Sequence, residues 1–324
     1  MTDRVPTDPR RIDVHQHVIP PVRARAITGR AAAVGWPAPS WDEHSAIAMM
    51  DRRSIATGVL SYAAPLAGPD DPAAAREAAR SVNEYTAELV KNRPDRFGHF
   101  AALPLPDVDG ALAETAHALD ELGADGVMVL SNAHGRYLGD PAFEPLWAEL
   151  DARSAVVLVH PTAPPGAPVP EVPAPLADFP YDTTRTALHM TMQGVPRRYP
   201  RMKVILPHAG GFLPYAAHRF ALAARLTDGE ERGTPQDFLA DLRRFYFDTA
   251  ISTGATTLPS LLAFAEPDHI LYGSDFPMLP EDWGTDFDTA LDDSPHWDSG
   301  RLHAVNRGNA ELLIPRLANG SRHS

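Results

Sequence analysis

The chain has 324 residues, 44% of them hydrophobic, and a formal charge of −13 from 29 basic and 42 acidic residues. That balance argues against a nucleic-acid surface, which needs clustered Lys and Arg, and no uninterrupted apolar run approaches the roughly 20 residues of a membrane span. With no cysteine, a disulfide framework, a thiolate metal site and a cysteine nucleophile are excluded, so any metal must be held by His and carboxylates.

The first strand is expected over Ile12–His15, overlapping the run Asp13-Val14-His15-Gln16-His17. Alternation along a strand puts His15 and His17 on one face, where two imidazoles can grip a metal; alone, such a pair is more often a polar strand end. A long connection, Val18–Glu43, follows. Further strands read over Thr57–Tyr62, Gly98–Leu103, Gly126–Ser131, Ala155–Val159, Lys203–Pro207, Phe245–Thr249 and Ile270–Gly273, short Val/Ile/Leu-rich runs set between helix-like stretches. One helix is expected over Pro72–Asn92, with Asp71 as N-cap and Pro72 in the first turn, and another over Val108–Leu122, ending at Gly123.

Two more long connections, Pro161–Tyr181 and Phe276–Trp297, also follow strand ends. The eight prolines from Pro161 to Pro180 suit either a stiff linker or a loop lining a pocket, and the strand-like run before it and helix-like run after it favour the loop. Ala318–Ser324 reads as a frayed tail. Eight strands alternating with helices predict an α/β fold, a parallel (β/α)₈ TIM barrel spanning 1–324 as a single domain, with its active site at the strand C-termini. Length alone would also allow two domains. The absence of disulfides, and of an apolar segment behind the N-terminal charges, points to a cytoplasmic protein.

Four more polar residues end predicted strands: His160, His208, Asp248 and Asp275. Taken singly, each is as well explained by a structural hydrogen bond or a turn cap. In a barrel, however, these ends converge. His15, His17, His160 and Asp275 would then offer three nitrogens and one carboxylate, suited to Zn²⁺ with an open position and tolerable for Mn²⁺ or Fe²⁺, with His208 beside it. No Gly-rich phosphate loop or lysine motif indicates an organic cofactor, and the chain has only two lysines, Lys91 and Lys203.

With these residues the sequence resembles the amidohydrolase superfamily, in the branch containing aminocarboxymuconate-semialdehyde, γ-resorcylate and 6-methylsalicylate decarboxylases. The likeness covers nearly the whole chain. Besides Asp13-Val14-His15-Gln16-His17 it is carried by Arg93-Pro94-Asp95-Arg96-Phe97, Ala101-Ala102-Leu103-Pro104-Leu105-Pro106, Val159-His160-Pro161, the run from Tyr199-Pro200 to His208-Ala209-Gly210-Gly211, and Tyr272-Gly273-Ser274-Asp275-Phe276-Pro277. The resemblance implies that His15, His17, His160 and Asp275 bind the metal and that His208 is catalytic. It also implies that Arg219 reaches a neighbouring subunit's site to hold a substrate carboxylate, which would make the protein a homodimer or higher oligomer; the competing reading of Arg219 is a surface salt bridge.

Two departures narrow the branch. No arginine precedes Trp41 in Trp36-Pro37-Ala38-Pro39-Ser40, where the semialdehyde decarboxylase has one for its substrate. γ-Resorcylate decarboxylase has glutamates where this chain has His15 and Gly211. The 6-methylsalicylate group is therefore nearest, with Asp182-Thr183-Thr184-Arg185-Thr186 as a further likeness, in which Arg185 either contacts an acidic substrate or braces the fold. The implied reaction is non-oxidative decarboxylation of a small aromatic or conjugated carboxylic acid, with Asp275, water or His208 supplying the proton. The same site could instead hydrolyse an amide, lactone or ester, and a non-catalytic metal-stabilised binding protein ranks below both.

Overall fold

The computed structural model describes residues 10–33, 35–167, 169–226 and 233–319. Eight parallel strands pair in chain order: β1 (Arg11–His17), β2 (Ile55–Ser61), β3 (Phe97–Ala102), β4 (Gly126–Leu130), β5 (Val156–His160), β6 (Lys203–Leu206), β7 (Tyr246–Asp248) and β8 (Ile270–Leu271). Each lies within two residues of its expected position. Strands covered on both faces must be apolar nearly throughout, which is why they stood out in the sequence. The ring closes where the Val14 N–H donates to the Tyr272 carbonyl (3.0 Å), Asp275 N–H to His15 (2.8 Å) and His17 N–H to Phe276 (2.7 Å). This is the (β/α)₈ barrel that the alternating pattern predicts.

Two apolar layers hold it. Inside, Ile12, Val14, Val59, Phe100, Met128, Leu158, Ile205 and Leu271 form one cluster with Ala310, Ile314 and Leu317 from the C-terminal helices. Those helices plug the end of the barrel where strands begin: Arg316 pairs with Asp125 just before β4, and Arg307 donates to the carbonyl of Arg10 just before β1. Outside, Leu60, Val127, Val129, Val157, Val159, Leu206 and Phe247 pack under helical residues such as Met49, Trp147 and Met190.

The connections are less loop-like than expected. Val18–Glu43 contains a helix, Ala24–Ala33, and the helix Glu43–Arg52 starts behind an Asp42–Ser45 capping box. The proline-rich stretch turns helical at Ala174, a helix that runs to Met192 through Pro180. The segment after β8 is mostly the helix Glu281–Asp292. The helix at Pro72–Asn92 is as predicted, whereas the one begun at Val108 widens after Ala116 into a π turn, His117–Glu121. A small hairpin, Asn132–Ala133 with Arg136–Tyr137, was not visible in the sequence, since its strands are too short for a pattern. At the expected tail, Ala318 and Asn319 end a short helix, and 320–324, like 1–9 at the other end, lie outside the described residues. Among the described residues no helix is long and apolar enough to cross a membrane.

One buried residue makes the fold acid-sensitive. His99 on β3 is fully buried and neither ring nitrogen has a hydrogen-bond partner. Burial pushes its pKa down from 6.5 to about 4. The unfolded chain therefore takes up this proton first as pH falls, so the stability tied to neutral His99 is present above about 6.5 and drains away toward pH 4, by on the order of 3 kcal/mol. We expect His99→Phe to flatten the fall in urea midpoint between pH 6.5 and 4; profiles that stay parallel would show that another group is responsible.

Candidate metal centre

The site is built where β1 meets the end of β8. Pairing of β1 with β2 steps from Asp13 opposite Gly58 to Gln16 opposite Leu60, three residues against two. This bulge flips the alternation, so Ile12 and Val14 fill the barrel interior below while His15 and His17 also turn inward above them. The step in register needs a tie. Asp13, fully buried, supplies it by accepting from the His15 N–H (3.1 Å), Gln16 Nε2 (3.1 Å), and the Ser274 N–H (3.0 Å) and hydroxyl (2.5 Å). Gly273 lets β1, β7 and β8 approach: a Cβ there would stand 2.9 Å from that of His15 and 3.1 Å from that of Asp248.

His15, His17, His160 and Asp275 are all buried, and one ligand atom from each lies within 4.8 Å of every other. The Nε2 atoms of His15 and His17 are 3.1 Å apart, and Asp275 Oδ1 is 3.0 Å from the second and 3.4 Å from the first. Every imidazole is fixed from behind through Nδ1: His15 by Asp248 Oδ2 (2.8 Å), His17 by Ser61 Oγ (3.0 Å) and His160 by the Pro161 carbonyl (2.8 Å). With Nδ1 donating, each Nε2 is left as a lone pair facing the same point, and that of His160 is buried with no partner at all. Three nitrogen lone pairs and a carboxylate gathered in a buried space repel one another unless a positive charge sits among them, a proton on His15 or a metal ion. The donor set therefore fits a divalent metal, as the sequence expected.

The electrostatics agree. Burial alone would lower the pKa of His15, but the carboxylates of Asp248 and Asp275 outweigh it and push it up to about 9. Burial holds His17 below its ordinary value, and His160 well below, with the neighbouring imidazoles adding to the effect. Burial would raise Asp275, yet the bond from His17 and the histidine charges around it keep its carboxyl below the usual range. A metal ion held by these residues would take the place of the His15 proton.

His208 follows β6 in a turn where His208, Ala209, Gly210 and Gly211 all have positive φ. Only glycine fits the last two without collision: a Cβ on Gly211 would lie 2.1 Å from the Pro180 carbonyl oxygen, and one on Gly210 would lie 2.8 Å from the Phe247 ring. The turn holds the His208 N–H on Asp248 Oδ1 (2.9 Å) and its Nδ1 on the Ala250 carbonyl (3.2 Å). Its ring stands 5.1 Å from His15 and faces the cavity. His15, His208 and Asp248 also lie close enough to share an ion, but Asp248 already accepts from His15, His208 and Ala250, which makes it their common brace.

Above the ligands opens a cavity of about 750 Å³ whose lining includes His160, His208 and Asp275 together with Ile27, Trp36, Leu176, Phe179, Phe212 and Met278. All three long connections contribute, so the proline-rich segment does line a pocket. The two predicted substrate-binding arginines are not in its wall. Arg219 is exposed in the last turn of the helix Leu213–Phe220. Arg185 stacks over the rings of Tyr137 (4.6 Å) and Tyr181 (5.2 Å). Next to it Asp182 is buried, accepting from Ser131, Asn132 and Tyr137, which accounts for the polar run around it as structural. Asp13 and Ser61 were passed over in the sequence although both flank strand ends, and the strand-end Asp248 had no partner assigned.

A family model for the amidohydrolases matches residues 12–316. The 6-methylsalicylic acid decarboxylase acuB of Aspergillus aculeatus is 39% identical over 321 residues, covering 95% of this chain and 96% of that protein. The 6-methylsalicylic acid decarboxylase of Penicillium expansum is 37% identical over 316 residues, covering 95% and 97%. Among solved structures, 2,6-dihydroxybenzoate decarboxylase in complex with 2,6-dihydroxybenzoate superposes with a TM-score of 0.79 at 25% identity, over 94% of this chain and 99% of that one.

If Asp248 orients His15 and raises its basicity, Asp248→Asn lowers metal affinity by about 10–100-fold, measured by chelator competition. Unchanged affinity would show that the His15–Asp248 pair is not part of the metal site.

Proposed function

The chain belongs to the amidohydrolase family, and within it we propose a metal-dependent, non-oxidative decarboxylase of a small aromatic acid of the salicylate class. The reading is carried by one observation: an apolar cavity whose wall includes His160 and Asp275 of the candidate metal set, together with His208, in a chain that matches 6-methylsalicylic acid decarboxylases over nearly its full length. Zinc is the ion we assign to His15, His17, His160 and Asp275, with manganese as the substitute. When bound, the ion supplies Lewis acidity to the substrate carboxylate and a neighbouring oxygen.

The rest of the work falls to the chain. Ile27, Trp36, Leu176, Phe179, Phe212 and Met278 take the ring out of water, which favours loss of an ionic carboxylate as neutral carbon dioxide. The bond between ring and carboxylate breaks, its electron pair stays on the ring carbon, and a proton takes the vacated place. His208 and Asp275 share the cavity wall with His160, and we assign proton delivery to this pair. Metal-loaded protein given a panel of salicylates, hydroxybenzoates and unsaturated diacids should release carbon dioxide with the matching decarboxylated arene, and His208→Ala should keep the metal but lose at least about 100-fold in turnover. Release of an acid or alcohol without carbon dioxide would establish the hydrolase instead.

We assign Arg219 to a neighbouring subunit's site in a homodimer. What supports this is its exposure on the helix Leu213–Phe220, where Tyr215, 88% exposed, and the preceding Phe212 line the cavity. Of the two readings of Arg185, its stacking between two tyrosines supports the brace. Arg219→Ala should lower activity without loss of metal, and mixing it with the inactive His208→Ala chain should restore part of the activity, because a mixed dimer contains one intact site. No recovery after demonstrated subunit exchange would place Arg219 outside the partner's site.

A further inference from the structure

A second cavity, of about 1040 Å³, adjoins the first, and Arg30, Ala64, Thr162 and Ala163 line both. Its charges are unbalanced. Among the described residues lining it the one carboxylate is Asp107, already held by two hydrogen bonds from Arg76. Arg23 and Arg30 form no ion pair among the described residues, as is also true of Arg25, Arg185 and Arg219, but these two line the same cavity. In a chain of charge −13, a cavity that gathers two arginines with no acid of its own left to hold them is the feature to explain.

The groups around them are donors as well. Arg23 gives one terminal nitrogen to the Leu66 carbonyl, but its Nε is buried without a partner, and its guanidinium carbon stands 5.6 Å from the centre of the Tyr62 ring. Tyr62 is only 1% exposed, and its hydroxyl has no partner either. Burial raises its pKa, against the pull of Arg23 and Arg30 and of a close approach by the Arg23 guanidinium to its oxygen, so it stays protonated and keeps its O–H to donate. An unmet buried donor costs about 1–3 kcal/mol. The Tyr62 hydroxyl, the Arg23 Nε and the Arg30 guanidinium line one cavity whose single carboxylate is already held, which describes a site for an anion, and the planar fork of arginine matches a carboxylate.

We propose that Arg23, Arg30 and the Tyr62 hydroxyl form a second carboxylate-binding subsite, so that the preferred substrate is an aromatic acid carrying a further carboxylate away from the one that is lost. The inference rests on the decarboxylase reading for the first carboxylate. Arg30 joins the two halves, since it borders both the metal-bearing cavity and the donor cluster. Size points the same way: about 750 Å³ lies in the upper part of the roughly 300–1,000 Å³ range of sites for drug-sized ligands, more than a single methylated ring fills.

The test is calorimetric binding to zinc-loaded protein of salicylate, 4-hydroxyisophthalate and 2-hydroxyterephthalate, the last two being salicylates with one extra ring carboxylate. At least one should bind about tenfold more tightly than salicylate, a gain of about 1.4 kcal/mol. The ratio should fall toward one in Arg30→Gln and in Arg23→Gln, recover in part in Arg30→Lys, and shrink in Tyr62→Phe. Equal or weaker binding of both dicarboxylates by the wild-type protein would overturn the subsite. So would a preference that survives in the Arg23→Gln/Arg30→Gln double variant with its thermal midpoint unchanged. Because binding is read directly, selective binding without any carbon dioxide release would sink the decarboxylase reading and leave the subsite standing, while turnover without selectivity would do the reverse.

Discussion

Everything at the active end of this barrel depends on how β1 meets β8. Three backbone hydrogen bonds close the ring there, and the buried carboxylate of Asp13 clamps the two chains by accepting from both His15 and Ser274. Because the closing bonds run through His15, His17 and Asp275 themselves, barrel closure and assembly of the ligand set are one event. Residues 258 apart in sequence are thereby brought within 3.0 Å. A metal ion held between them would clasp this joint of the ring, its binding energy adding to the stability of the closed form.

The site is rigid because its ligands are held from outside the point at which they aim. Asp248, Ser61 and the Pro161 carbonyl each fix one imidazole, and Asp248 extends the same grip to the turn bearing His208. This shared brace couples the His15 imidazole to the turn that carries His208, so a change at Asp248 reaches both. The cavity wall above is different in kind, assembled from three long connections and mostly apolar, which suits a ring-shaped substrate held by exclusion of water and oriented at a few polar points.

The eight strands were legible because parallel strands buried on both faces leave nearly continuous apolar runs. The ends of β1, β5, β6, β7 and β8 were legible because a polar His or Asp follows each of these runs where the barrel opens. That is enough to bring His15, His17, His160, His208 and Asp275 together without coordinates. The bulge at Asp13–Gln16 was not legible, since a step in register depends on the partner strand and leaves no mark in composition. Helical starts at Ala174 and Glu281 were hidden by prolines and by the lack of a side-chain cap. Arg30 escaped notice for a simpler reason: a single arginine on a short helix has no motif, and its surroundings come from β2 and the loop after β5, remote in sequence.

The plug at the opposite end has a consequence for traffic. Ala310, Ile314 and Leu317 complete a packed interior with Ile12, Phe100 and Leu158, so the barrel is a blind well rather than a tube. Substrate, arene and carbon dioxide must all pass the same rim, the one bordered by Trp36, Phe212 and Tyr215. Entry of the next acid therefore waits on departure of the last product, and whatever narrows that rim sets the pace of both.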